Sequence, residues 1–197
     1  MMLEVRVADR VREALASLPH ADVLTGDIPE LRHGDAIKAA VLVAITDRAE
    51  PGLILTVRRD DLRTHAGQIA FPGGRLDESE DAVAAALREA HEEIGLEPRC
   101  VDIHGVIEDY RTVTGYIVTP VIATVPPDLP LIPHEHEVAE WFEVPLGFVL
   151  NPANQRLASA LFEGRTRHYY EILWNDRRIW GATAAMIVNL SRRLKWH

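Results

Sequence analysis

Apolar positions along the chain fall into two periods, and the change from one to the other marks the elements. In residues 8–18, Val11, Leu15 and Leu18 recur at helical spacing and Pro19 ends the pattern, so a short amphipathic helix is expected there. Beyond a loop bearing Gly26, Pro29 and Gly34, the apolar runs 39–45 and 53–57 each have the length of a buried strand and are expected to pair. Residues 58–76 are polar, contain Phe71-Pro72-Gly73-Gly74, and read as a long ordered loop of the kind that usually carries function. A helix follows from about 78 to 94, then strands near 101–107 and 116–125, the second bearing Val118, Val121, Ile122 and Val125. The proline-rich stretch 126–130 is expected to be irregular. After a strand near 138–144, Pro145 starts a short helix that Asn151-Pro152 closes. Residues 169–174 and 178–180 flank Asn175-Asp176-Arg177 as a hairpin, and a last helix over 182–195 puts Met186, Ile187, Leu190 and Leu194 on one side. Helices packed around a mixed sheet, the α/β class, fit this order, with one domain over 1–197 and the helix at 8–18 as its extension.

The helix near 78–94 is the most distinctive segment. Asp77 with Glu80 resembles a capping box, Ser79 is an alternative cap, and Gly95 stands where a left-handed C-terminal cap falls. With Glu89 set at zero and about 100° per residue, Glu93 falls at roughly 40° and Glu92 at roughly −60°, while Val83, Leu87, Ala90 and Ile94 gather near 100° to 160°. Carboxylates and core contacts are thus expected on different faces. The preceding turn offers Ala82, Ala85 and Ala86, small enough to leave room for an ion. Three carboxylates within one turn repel one another, and shared Mg²⁺ would offset that through hard oxygen ligands. A solvated acidic face with an Arg88–Glu92 pair is the plainer alternative.

Composition narrows the classes. A chain of 197 residues with 47% hydrophobic content can fill one core. Its most apolar run, 36–45, is interrupted by Lys38 and is shorter than the roughly 20 residues a membrane span needs. The charged N-terminus lacks an export signal, and the single cysteine, Cys100, suits a reducing cytoplasm, so a cytoplasmic protein is expected. A net charge of −9 argues against nucleic acid as a partner but not against a small polyphosphate, since Arg58, Arg59, Arg63 and Arg75 precede the acidic helix. A homodimer is compatible with the sequence.

The full pattern is Gly74, five residues, Glu80, seven residues, then Arg88-Glu89-Ala90-His91-Glu92-Glu93-Ile94-Gly95-Leu96. It resembles the Nudix box at every position of fixed identity over 74–96; Ala90 stands where a larger aliphatic residue is more usual. The resemblance implies the Nudix α/β/α sandwich, a loop-helix-loop catalytic motif, and hydrolysis of a diphosphate linked to another moiety. It implies Glu89 and Glu93 as principal ligands of Mg²⁺ or Mn²⁺, with Glu92 as a further ligand, direct or through water. It also implies Arg88 as an orienting residue, Glu80 as a structural or metal-supporting carboxylate, and a main-chain carbonyl at Gly73-Gly74 that completes the metal site.

Upstream, Ile54-Leu55-Thr56-Val57-Arg58, Arg63, Gly67 and Phe71-Pro72-Gly73-Gly74 resemble the signature of coenzyme A diphosphatases, with Arg59 where that subgroup has Ser or Ala. This implies a CoA-like small-molecule substrate, cleaved to 3′,5′-ADP and 4′-phosphopantetheine. Arg58 and Arg63 are candidates for phosphate contact, or one of them braces the loop against Asp77 or Glu78. Gly73 is a further candidate substrate contact, and Phe71 reads first as core packing, with substrate contact the alternative. His134-Glu135-His136-Glu137 reads plainly as a solvated loop, but the resemblance makes Glu137 the candidate downstream carboxylate, as metal ligand or general base. The expected division is clean: helix carboxylates hold metal and loop arginines hold substrate. Two other readings stay open, a hydrolase of ADP-ribose or another nucleoside diphosphate derivative, and a non-catalytic ligand-binding module.

Overall fold

A computed structural model describes residues 6–16, 22–27, 36–59, 67–162 and 164–196. In chain order the elements are α1 (Val7–Ala16), β1 (Ile37–Thr46), β2 (Gly52–Arg58), β3 (Ile69–Ala70), β4 (Gly73–Arg75), α2 (Ala82–Ile94) and β5 (Asp102–Val106). They continue with β6 (Tyr110–Arg111), β7 (Tyr116–Val125), β8 (Val138–Pro145), α3 (Leu146–Val149), β9 (Gln155–Phe162), β10 (Arg165–Trp174), β11 (Arg177–Trp180) and α4 (Ala182–Leu194).

Strand β1 organises the larger sheet because both of its faces are apolar. Ala39, Val43 and Ile45 enter one cluster, with α1, α3, α4 and the inner side of β10 and β11; Ala40, Leu42 and Ala44 enter the other, beneath α2. Burial on both sides explains why its sequence is a near-continuous apolar run. It runs parallel to β7 over ten residues, from Ile37 opposite Tyr116 to Thr46 opposite Val125, and antiparallel to β2 and β4. The expected pairing of the first two runs is present, at Ile45 opposite Leu53. β8 lies antiparallel along β2. Pro120, in the middle of β7, falls between its pairing with β5, which ends at Val121, and with β6, which begins at Val118. A residue without an N–H is tolerated in such a gap.

Several expectations shift. The N-terminal helix covers Val7–Ala16, with Val11 fully buried, and Leu18 lies outside the described residues. The segment read as a long ordered loop over 58–76 contains β3 and β4, and its residues 60–66 lie outside the described residues. β4 pairs with the first half of β1, Val41 opposite Gly73 and Ala39 opposite Arg75. This approach is close enough that a Cβ at Gly73 would collide with the Ala40 carbonyl oxygen. β9, which carried no expectation, joins β10 and β11 in a separate three-stranded sheet.

Helix α2 begins at Ala82, four residues later than read from sequence, because Asp81 is the cap: its side chain accepts from Ala84 N at 2.8 Å. Asp77 and Glu80 close the turn before it, Glu80 Oε2 accepting from Asp77 N at 2.9 Å, and Ser79 sits at φ 69°. Gly95 ends the helix in the left-handed region at φ 66°, and Leu96 behind it is buried. The core face is as expected at Ala90 and Ile94, both fully buried, and corrected elsewhere: Ala85 and Ala86 are fully buried too, the alanines packing against Ala40, Leu42 and Ala44, whereas Val83 and Leu87 are only partly covered. The alanines bring the helix down onto the sheet; they do not hold space open for an ion.

Candidate active site

The pairing of β4 with β1 sets Gly73 and Gly74 against the middle of α2. Gly73 N–H donates to Glu93 Oε2 at 3.2 Å. A Cβ at Gly74 would overlap the Glu89 carboxylate, so glycine there provides the space that side chain uses. The room beside the carboxylates comes from the strand, and the sequence pattern on the helix pointed to the wrong partner for it.

Arg88 gathers the acidic side chains around it. It grips Glu80 with two donors, Nε to Oε1 at 3.0 Å and Nη2 to Oε2 at 2.9 Å. Its Nη1 serves Glu89 at 2.9 Å and Glu92 at 3.2 Å, and Nη2 also donates to the Arg75 carbonyl at 3.0 Å. The guanidinium thus relieves the repulsion within one turn. Its hydrogen bond to Glu80 is the main reason its pKa rises, and the same bond lowers that of Glu80. The plain Arg88–Glu92 pair exists, but as one contact among several.

Glu93 differs from its neighbours. It is 4% exposed, which corrects the expectation that carboxylates and core contacts lie on separate faces. Burial pushes its carboxyl up to about 8, against the Gly73 hydrogen bond, with Glu89 and Glu137 adding to the rise and Arg58 opposing it. Glu89 is also raised, first by burial, and Arg88 counteracts this. A buried carboxylate raised by desolvation is destabilised in its ionised form unless a cation joins it.

Two segments from outside the helix face these carboxylates. The charge of Glu137 disfavours ionisation of both Glu89 and Glu93, so it lies within electrostatic reach of each. Its turn is anchored on both sides: His134 N donates to Glu93 O at 2.8 Å, and Arg59 N donates to Glu137 O at 3.3 Å. The Arg59 Nη1 also donates to the Glu135 carbonyl. Arg58 stands at the irregular end of β2, where the register with β8 shifts, and its buried Nε has no hydrogen-bond partner among the described residues. Arg59 drew notice in the sequence as one of four arginines ahead of the acidic helix and as a departure from a pattern; its bonds through backbone carbonyls leave no sequence signal.

The structure therefore brings together Arg88, Glu89, Glu92, Glu93, Gly73 and Gly74, with Glu137 and Arg58 nearby. Phe71 packs in the core, as first read, and its alternative as a substrate contact is set aside: it is 2% exposed within the core cluster shared by β1 and α4. Arg63 lies outside the described residues. Arg75 is turned onto Tyr116, with Nη2 to the hydroxyl at 2.6 Å. His134 and His136 pack edge to face at 5.4 Å. Among the described residues no three His, Cys, Asp or Glu side chains form a ready cation cluster, since Glu89 and Glu92 are engaged by Arg88. The donor set nevertheless fits a hard divalent cation: oxygen ligands only, one of them a buried carboxylate held by a single strand N–H.

A strand glycine pair set against a helix bearing one arginine and several glutamates, on a mixed sheet with helices on both faces, defines a carboxylate-rich site of the metal-assisted hydrolase class. The family model for the NUDIX domain matches residues 36–161, and the chain belongs to that family. It is 42% identical over 158 residues to an uncharacterized Nudix hydrolase NudL of Escherichia coli (strain K12), covering 80% of this chain and 82% of that one. A NudL of Cronobacter sakazakii matches equally, 42% over 158 residues with the same coverage. Among solved structures, a Nudix hydrolase from M. smegmatis, RenU, is similar over 63% of this chain and 78% of its own, at 23% identity and a TM-score of 0.49. The protein is a Nudix hydrolase of a diphosphate bond in a small molecule, a class that generally uses divalent metals such as Mg²⁺ or Mn²⁺. No helix among the described residues is long and apolar enough to cross a membrane.

Proposed function

We propose that the chain, folded as one domain, hydrolyses the diphosphate of coenzyme A or a close derivative, yielding 3′,5′-ADP and 4′-phosphopantetheine or its acylated form. The observation that carries this reading is the position of Arg58. Of the stretch 54–74 that resembles the coenzyme A diphosphatase signature, the described parts include β2, β3 and the start of β4, and among its described residues Arg58 is a cation whose charge reaches Glu93. Its guanidinium is a cation of the kind that pairs with phosphate oxygens.

Glu89, Glu93 and Glu92 are the side chains that would hold Mg²⁺ or Mn²⁺, with a Gly73 or Gly74 carbonyl beside them. Such a cation, when bound, neutralises charge developing at phosphorus and makes a nearby water more acidic. Arg88 keeps Glu89 and Glu92 oriented toward one another through its shared Nη1. Glu137, on its doubly anchored turn, is the base assigned to accept the proton of the attacking water. That water adds to one phosphorus of the diphosphate as the bridging P–O bond breaks, and the bridging oxygen leaves with the other phosphate.

Mass spectrometry of a CoA digest made with Mg²⁺ or Mn²⁺ should find 3′,5′-ADP and 4′-phosphopantetheine, and no product in the presence of a chelator. Intact CoA after prolonged incubation, with ADP-ribose consumed in parallel, would replace this reading with that of a nucleoside diphosphate-sugar hydrolase.

A further inference from the structure

Strand β9 pairs with β10 along its whole length, from Gln155 opposite Ile172 to Phe162 opposite Arg165, and with no other strand among the described residues. Among the described residues its outer side therefore presents main-chain donors and acceptors with no strand to pair them. Natural edge strands of this length are usually guarded by lysine, proline, a bulge or brevity. β9 is eight residues long, contains neither lysine nor proline, keeps a regular register and bears one charge, Arg156.

The side chains on it are equally unguarded. Leu157 is 63% exposed and Leu161 is 76% exposed. With Ser159 they share one face, because alternate residues of a strand point the same way. On β10 that face bears Tyr170, opposite Leu157, and Ile172, both part of or packed against the core beneath α4. The two leucines thus extend the core face past the point where the helix stops covering it.

We propose that a second copy of this chain pairs with β9 antiparallel about a two-fold axis at Ser159, joining two three-stranded sheets into one of six strands. The sequence of the strand is self-complementary in that register and not in its neighbours. Leu157 then lies opposite Leu161 of the second copy and Leu161 opposite Leu157, so four leucines meet on one face. On the other face Ala158 meets Ala160, small residues that let the strands close to the usual spacing of about 4.8 Å. The charges tolerate it. Arg156 falls opposite position 162 of the second copy, and the two Arg156 residues stand six positions apart, about 20 Å, well beyond the ~8 Å over which exposed charges act at physiological salt. Although each chain carries a net charge of −9, the segment 155–168 holds three arginines and one glutamate, so the seam lies where like-charge repulsion between acidic copies is least. Such an isologous contact closes after two copies and leaves no further edge on β9.

Sedimentation equilibrium of the full chain should give a reversible monomer–dimer equilibrium. Leu161→Glu, at a site exposed enough to leave the monomer folded, should abolish the dimer while circular dichroism, and Tm at concentrations where the wild type is monomeric, stay at wild-type values. Register is read by crosslinking in a Cys100→Ser background. Ser159→Cys places two thiols directly opposite, within about 4.5–5.5 Å between Cα atoms, and should form a disulfide-linked dimer under mild oxidation. Arg156→Cys should not. A chain that stays monomeric at every concentration, a dimer that survives Leu161→Glu, or crosslinking of Arg156→Cys in place of Ser159→Cys would each overturn the proposal.

Discussion

The Gly73 N–H donates a hydrogen bond of 3.2 Å to Glu93 Oε2, tying β4 to the last turn of α2. That bond joins the residue just before the sequence motif to its last glutamate, a carboxylate almost wholly removed from water. Because its pKa lies near 8, well above the 4.5 of an ordinary glutamate, the metal-free fold is favoured by the protonated carboxyl. That contribution is complete below about pH 4.5 and is lost as pH rises through about 8. Tm of the chelated protein should therefore fall over this window, by an amount worth up to a few kcal/mol. Mg²⁺ should restore it with proton release, and Glu93→Gln should flatten the dependence. Buffer-dependent calorimetry and thermal melts read both effects; a flat Tm profile for the wild-type chain would remove the buried-carboxyl argument.

Glu89→Gln and Glu93→Gln should each lower kcat by on the order of 10², about 2–3 kcal/mol of transition-state stabilisation, while weakening metal binding and leaving the fold intact. Wild-type turnover in both variants with metal still bound would exclude these residues as ligands.

Gly74→Ala tests the space behind Glu89. The added methyl would overlap a carboxylate at the far end of a flexible side chain, so the strand survives and the carboxylate moves. Activity should fall at least about tenfold with Tm within a few degrees of wild type, consistent with ~1.4 kcal/mol or more lost in the transition state. Unchanged kcat with normal metal affinity would show that Glu89 works from another position.

Arg58→Ala should raise KM for CoA by roughly tenfold, the cost of a charge-assisted contact. The clean separation expected from sequence, metal on the helix and substrate on the loop, is modified by the structure, since Arg58 also favours the ionised form of Glu93. Its loss should shift metal binding to higher pH. A KM effect with no such pH shift would place Arg58 farther from Glu93 than the structure has it.

Much of the fold was legible because its signals are local. The bounds of β7, 116–125, follow from a ten-residue apolar run ended by two prolines, and Gly95 marks the end of α2 because only glycine takes that backbone conformation cheaply. The start of α2 was not legible: Asp77, Ser79 and Asp81 are all competent caps, and only the turn closed by Glu80 on Asp77 selects the last. The carboxylate helix was legible as a motif, yet a wheel gives angles about an axis and not what stands opposite. It therefore missed that Glu93 is buried against Gly73 and that the alanines pack on β1. Phe71 was legible as packing from its residue type, but not what it packs on; the pairing of β3 with β2, a contact between distant segments, places it in the core.

The central claim is the substrate, and kcat/KM measured side by side for CoA, acetyl-CoA, dephospho-CoA, ADP-ribose and NADH with saturating Mg²⁺ or Mn²⁺ tests it most directly. CoA or acetyl-CoA should head the series, dephospho-CoA should fall below them where an arginine reads the 3′-phosphate, and the nucleotide product should be 3′,5′-ADP. A value for ADP-ribose or NADH above that of every CoA derivative would contradict it.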